Sequence, residues 1–198
     1  MARLAISIDF LDGYHRLEKS QRNRVQSLAQ MFAKSSAAEL TKQKGVHLES
    51  YKGAADSRAR TIRIGDNHRG VVLDAGNNET FVLTMIGTHK EVDHWMANNR
   101  FRVNAATGAL EITNIAAVEA AVEEIGTTSA PEAHQLFAHR PDKEFVQLGI
   151  SGDLLPIIRI VSSEDQLESL LFALPPSQQD ALIGLIGKAT VEDLYRDV

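Results

Sequence analysis

A cluster of cations marks the one stretch of this chain where residue type and spacing suggest chemistry. Lys52, Arg58, Arg60, Arg63 and Arg69 follow one another within eighteen positions, His68 stands among them, and His89 comes after. Arginines stabilise charge on phosphate and an imidazole can move protons. Such a set suits binding of a nucleic-acid backbone, or cleavage of RNA. Thr61–Ile64 alternates with Ile62 and Ile64 inward, which turns Arg63 outward. Arg60 and Arg69 begin strands and are expected to reach the same open face. The plainer reading, arginines that merely solubilise an exposed sheet, stays open beside it.

Other chemistries fit less well. Gly184-Leu-Ile-Gly187-Lys188-Ala189 has two residues between its glycines where a phosphate loop has four, and alanine rather than Ser/Thr after the lysine. It reads as a helix end. His89 and His94 are five apart, as are His134 and His139, whereas helical ligand pairs want three or four. No metal and no other cofactor is expected. Asp56, Asp66, Asp74 and Glu79 fall in turns, where carboxylates usually shape the turn or stay solvated. The absence of cysteine removes disulfides, thiolate zinc sites and a cysteine nucleophile.

The elements that must position the cations follow from periodicity. Ala2–Ile8 alternates as a strand. Asp9 is placed to cap a helix carrying Phe10, Tyr14 and Leu17, and a second helix presents Val25, Leu28 and Phe32. A short helix near Ala37–Lys42 precedes three strands: Thr61–Ile64, Gly70–Leu73 and Thr80–Ile86. In the last, Phe81, Leu83 and Met85 alternate against Val82, Thr84 and Ile86. Turn clusters at Gly65-Asp-Asn67 and Ala75-Gly-Asn-Asn78 make these an antiparallel meander. Val92, Trp95 and Met96 mark a helix, and Phe101–Asn104 with Ala109–Ile112 a terminal hairpin. Residues 2–112 are expected to share one antiparallel sheet, with both early helices on one face.

From Asn114, placed as a cap, the pattern is helical. Gly126-Thr-Thr-Ser129 reads as a linker before a short helix begun by Pro131. Further helices are expected at Asp142–Leu148, Asp153–Ile160, Glu164–Ala173, Gln178–Lys188 and Val191–Val198, with capping boxes at Ser162-x-x-Asp165 and Thr190-x-x-Asp193. The net charge of −5 hides a split: residues 1–113 carry +4 and residues 114–198 carry −9. The two parts therefore face different partners, or neutralise each other. The organisation read from sequence is an α+β domain over 1–113, a helix and linker over 114–130, and an acidic helical domain over 131–198. No apolar run approaches the roughly 20 residues of a membrane span, and Asp9 interrupts the start, so a cytoplasmic protein is expected.

The order β–α–α–β–β–β with these arginines resembles the RelE/ParE toxin fold. More closely, the chain resembles the N-terminal region of bacterial UvrD/Rep-type superfamily-1 DNA helicases. The matching stretches are Arg58–Ile64, His68–Leu73, Ile86–His89 leading to Asp93–Met96, Val103–Ile112, and the helical Leu136-Phe137, Asp142–Gly149, Leu154–Arg159 and Glu164–Pro175. The resemblance implies a RelE/ParE-like antiparallel sheet packed by two helices, then an all-helical connector. It implies a non-catalytic accessory region that binds nucleic acid, DNA before RNA, or protein: the helicase motor or another partner. Lys52, Arg58, Arg60, Arg63, Arg69 and His89 are its binding candidates. A ribosome-dependent mRNA endoribonuclease using Arg63, Arg69 and His89 is the alternative, although no tyrosine lies within 88–95, where such toxins place one. A toxin-fold module that binds a peptide on its sheet is the third.

Overall fold

The computed structural model describes residues 2–43, 46, 48–75, 79–128 and 135–196. It divides into two compact units, Met1–Asn98 and Asn99–Val198.

The first unit runs β1 (Arg3–Ile6), α1 (Ile8–His15), α2 (Lys19–Lys34), α3 (Ala37–Lys42), β2 (Glu49–Ser50), β3 (Ala59–Arg63), β4 (His68–Asp74), β5 (Thr80–Thr88) and α4 (His89–Asn98). Ser7, rather than Asp9, caps α1: its Oγ accepts the Phe10 N–H at 3.3 Å and donates to the Thr84 carbonyl at 3.2 Å. One hydroxyl thus fixes both the start of α1 and its place beside β5. The sheet order is β1-β5-β4-β3-β2. All its pairs are antiparallel except β1–β5, which is parallel, because α1 and α2 carry the chain back before the later strands form.

Phe10, Leu17, Val25, Leu28 and Phe32 from α1 and α2 close over Ile62, Val72, Phe81, Leu83 and Ile86 as one buried cluster. Phe32 meets Phe81 edge-on at 5.5 Å between ring centres. The alternation expected for β5 is broken. Val71 pairs with Met85 but Val72 with Leu83, so Thr84 is an extra residue. This bulge turns Ile86 to the face that Phe81 and Leu83 occupy. Thr84 is itself buried, and its hydroxyl donates to the Val71 carbonyl at 3.3 Å. The opposite face of β4 and β5 is packed by α4, whose Val92 and Met96 are buried.

The second unit opens with the hairpin β6 (Asn99–Val103) and β7 (Leu110–Asn114), which pair only with each other among the described residues. Then come α5 (Ile115–Thr128), α6 (Asp142–Gln147), a 3-10 turn at Gly152–Leu154, α7 (Leu155–Ile160), α8 (Glu164–Ala173), α9 (Pro176–Ile186) and α10 (Val191–Arg196). Asn114 caps the first turn of α5, its Oδ1 accepting the Ala117 N–H at 3.1 Å. The cap of α8 is Ser163, one position beyond the expected start: its Oγ accepts the Gln166 N–H at 3.3 Å, while Gln166 Oε1 accepts from the Ser162 N–H and hydroxyl. Gly126–Thr128, expected to begin a linker, is helical and continues α5. Ser129 and the helix expected from Pro131 lie outside the described residues, as does the turn at 76–78.

The compact units meet at Asn98–Asn99, not at 113–114. The reason is a buried carboxylate. Glu111 on β7 is 4% exposed and accepts from Arg102 Nε at 2.8 Å, Asn104 Nδ2 at 2.6 Å, Gln178 Nε2 at 2.8 Å and the Ser177 hydroxyl. Ser177 and Gln178 open α9, so this cluster ties the hairpin to the helices. Arg102 also donates to the Gly149 carbonyl, where a positive φ of 79° and contact with Asn104 leave no room for a Cβ. A chain ended after Asn98 is therefore expected to unfold as cooperatively as the first unit does in the full chain. A chain ended after Thr113 keeps the hairpin without Ser177 and Gln178, and its residues 99–113 are expected to exchange amide protons freely. Protection of that hairpin in the longer fragment would refute this boundary.

Candidate nucleic-acid interface

The cations do not converge on one surface; the register separates them. Arg63 pairs with Arg69, and Arg69 with Gly87, in one row across β3, β4 and β5. Residues directly opposite share a face, so both arginines point away from the Ile62–Gly70 row that α1 and α2 cover. Arg60 pairs with Val72 and so belongs to the helix-covered face. There it donates to the carbonyls of Ser57 at 2.5 Å and Ala59 at 3.0 Å, and lines a cleft of about 610 Å³ with Asp74 and Glu79. This overturns the expectation that Arg60 joins Arg63 and Arg69.

Arg58 grips Asp56 with both prongs, Nε to Oδ1 at 3.0 Å and Nη2 to Oδ2 at 2.7 Å. That pairing raises its already high pKa and neutralises it locally. Lys52 is exposed in the turn after β2. At about 3.3 Å per residue, Arg58 lies roughly 16 Å along the strand from Arg63. Lys52, Arg58 and Arg60 thus occupy one end of β3, and Arg63 and Arg69 the other.

The Arg63–Arg69 end is the richer one. Arg63 Nη2 meets Asp66 Oδ1 at 2.9 Å, but Asp66 is 96% exposed, so this pair is weak and readily exchanged. Arg69 Nη1 donates to the Gly65 and His68 carbonyls at 3.1 and 3.2 Å. His89 begins α4 immediately after β5 and is exposed.

His68 belongs to this end too, and its tautomer can be read from its neighbours. Gln21 Oε1 accepts the Glu18 N–H at 3.0 Å in the capping box of α2, which leaves its Nε2 facing His68 Nδ1 at 2.9 Å. An amide NH₂ only donates, so Nδ1 accepts and the ring proton sits on Nε2. His68 stands between two clefts. One, of about 530 Å³, is bounded by Glu18, Gln21 and Asp66; the other, of about 190 Å³, by Arg16, Thr88 and Glu91. Glu91 accepts from the Thr88 N–H at 2.7 Å and its hydroxyl at 2.8 Å. Those bonds hold its carboxyl below the usual range, with the charge of Arg16 adding a smaller pull. Arg16 had no sequence signal: it sits at the end of α1, and only the fold brings it to β5.

Arg63 and Arg69 share the face turned away from α1 and α2, and Arg16 and His68 stand on the α1–α2 side of the same sheet end; a pair of arginines so placed can hold phosphate oxygens. Among the described residues, no cluster of three or more His, Asp or Glu is placed to hold a metal, and no helix is long and apolar enough to cross a membrane. No family model and no curated protein matches the chain. Among solved structures it is similar to a YoeB/ParE toxin from Agrobacterium tumefaciens, with 19% identity and a TM-score of 0.34 over 44% of this chain and 98% of that one. Within the first unit itself, the β–α–α–β–β–β order expected of a RelE/ParE-like sheet is present, with α3 and β2 inserted.

Proposed function

We propose that the first unit binds the phosphate backbone of nucleic acid through the Arg63–Arg69 end of its sheet and does not cut it. The observation that supports this reading is the cross-strand placement of Arg63 beside Arg69; Arg16 and His68 stand at the same end on the α1–α2 side, where a backbone passing the sheet end would reach them. Arginine is suited to this because its planar fork stays charged and matches phosphate oxygens. Residues 1–98 carry a net +3 and residues 99–198 a net −8, so the second unit is not the polyanion-binding one. On the resemblance to UvrD/Rep-type helicases, the nucleic acid is DNA and the chain serves as an accessory region beside such a motor.

Three phosphate contacts give a log–log salt slope of about −2 on single strands and about −2.7 on duplex DNA. Fluorescence anisotropy on a labelled oligonucleotide between 50 and 200 mM salt measures it. Arg63→Ala and Arg69→Ala should each flatten the single-strand slope by about 0.7 without altering sequence preference, whereas Arg58→Ala should not. Equal loss from Arg58→Ala would refute the assignment to this end. Ribosome-dependent mRNA cutting by the chain, abolished in His89→Ala, would replace binding by the ribonuclease reading. Absence of any nucleic-acid binding at 50 mM salt would leave a protein partner.

A further inference from the structure

The sheet of the first unit is open at β1. Among the described residues, no strand pairs with its outer edge. The opposite edge, β2, is guarded: it is two residues long, both are exposed, and one is Glu49. Past Arg3, β1 has no such guard, running Leu4-Ala5-Ile6 without charge, proline or bulge. Ile6 is 49% exposed, and Ile8 and Leu11 at the start of α1 are 81% and 44% exposed. Exposed aliphatics along an unpaired edge mark a place where another strand can add.

The main chain restricts how. The Arg3 N–H donates to the Glu79 carbonyl at 2.6 Å and the Ser7 N–H to the Leu83 carbonyl at 3.0 Å. Alternate residues therefore turn their amides to β5, and Leu4 and Ile6 turn theirs outward. Beyond them the Ala2 N–H is spent on the Ser35 carbonyl at 2.7 Å, and Ile8 begins α1. An incoming strand has only Leu4 and Ile6 to bond.

We propose that the occupant is β1 of a second copy of this chain, antiparallel about a two-fold axis at Ala5. Leu4 of each copy then pairs with Ile6 of the other, exchanging N–H···O bonds, and their side chains meet on the face that α1 and α2 cover. The small Ala5 faces itself across the axis on the other face. The same register brings Ile8 of the second copy opposite Ala2. There Ala2, Leu4, Ala29 and Ala33 give the apolar lining of a cleft of about 560 Å³, which receives that side chain. The remaining lining residues, Arg3 and Glu79, are exposed and charged. Arg3 stands opposite Ser7 of the second copy, two positions from its exposed Asp9, so unlike charges meet at both ends of the ribbon. A parallel pairing would set Arg3 beside Arg3. This self-complementarity in register, shape and charge favours a second copy over a foreign strand.

The test is sedimentation equilibrium of the full chain, where a reversible dimer is expected. Ile8→Glu should weaken it by at least about tenfold. It should not harm the fold, because a carboxylate suits the first turn of a helix. The chain has no cysteine, so a single Ala5→Cys reports the axis directly. Facing Cα atoms of such a pair stand about 4.5 Å apart, within disulfide reach. Under mild oxidation it should cross-link at least about tenfold faster than Lys52→Cys, in the exposed turn after β2. A single-chain mass at about 100 µM overturns the proposal. So does a dimer that Ile8→Glu leaves intact, or an Ala5→Cys chain that links no faster than Lys52→Cys. None of these readouts involves nucleic acid, so they stand or fall apart from the Arg63–Arg69 surface.

Discussion

Glu111→Ala should unfold the second unit at ordinary temperature or leave it close to doing so. The substitution leaves Arg102 Nε, Asn104 Nδ2, the Ser177 hydroxyl and Gln178 Nε2 without their shared acceptor in a site that water scarcely reaches. Removing one partner of a buried ion pair costs about 3–5 kcal/mol, a large part of a typical domain's stability. Urea unfolding followed at the second unit should show that loss, while the first unit, which has no part in the cluster, keeps its transition. A loss under about 1 kcal/mol would mean the cluster does not hold the hairpin to α9.

The same carboxylate sets an acid limit. Burial alone would push the Glu111 pKa up, but the bonds from Ser177, Asn104 and Gln178, with the charge of Arg102, outweigh it and bring it below its ordinary 4.5. A pKa lowered on folding means the unfolded chain takes up the proton first as acid is added. The stabilisation is whole above 4.5 and disappears as pH falls through the folded value. Glu111→Gln removes the charge, and its acid limb should be flatter than the parent's over that window. Thermal unfolding of both proteins from pH 6 down to pH 3 distinguishes them.

What the sequence made legible follows from which faces are buried. Ile62 and Ile64 against Arg63 form a clean alternation, and Arg63 lies where that pattern puts it. Arg60 and Arg63 are three apart on one strand, so they had to take opposite faces, and placing both on one surface ignored that parity. β5 is different in kind. Apolar residues stand on both its faces because helices pack on both, so alternation carried no information about direction and the bulge at Thr84 left no trace. Glu111 was hidden by the same rule inverted. A carboxylate between Leu110 and Ile112 reads as the solvent face, and its partners on α9 lie more than sixty positions away. Arg16 and His68 line one small cleft only because α1 docks on β5.

That docking depends on Gly13. Gly13→Ala is expected to destabilise the first unit even though alanine favours a helix over glycine by about 1 kcal/mol. A Cβ at position 13 would stand 2.5 Å from Ile86 Cγ2 and 2.8 Å from the Ile86 carbonyl oxygen. The methyl can turn aside. The carbonyl cannot, since it belongs to β5 within the sheet, where Ile86 pairs with Gly70. Helix α1 must therefore lift from β5, and overpacking of this kind costs about 1–3 kcal/mol, occasionally more. The lift also acts on function. Arg16 caps α1 and lines the small cleft with His68 and Glu91, so it moves with the helix. In the folded Gly13→Ala protein, the oligonucleotide salt slope should flatten by about one phosphate contact, the amount expected from Arg16→Ala. Unchanged stability together with an unchanged slope would mean that α1 does not need its close approach to β5, and that Arg16 takes no part in the phosphate surface.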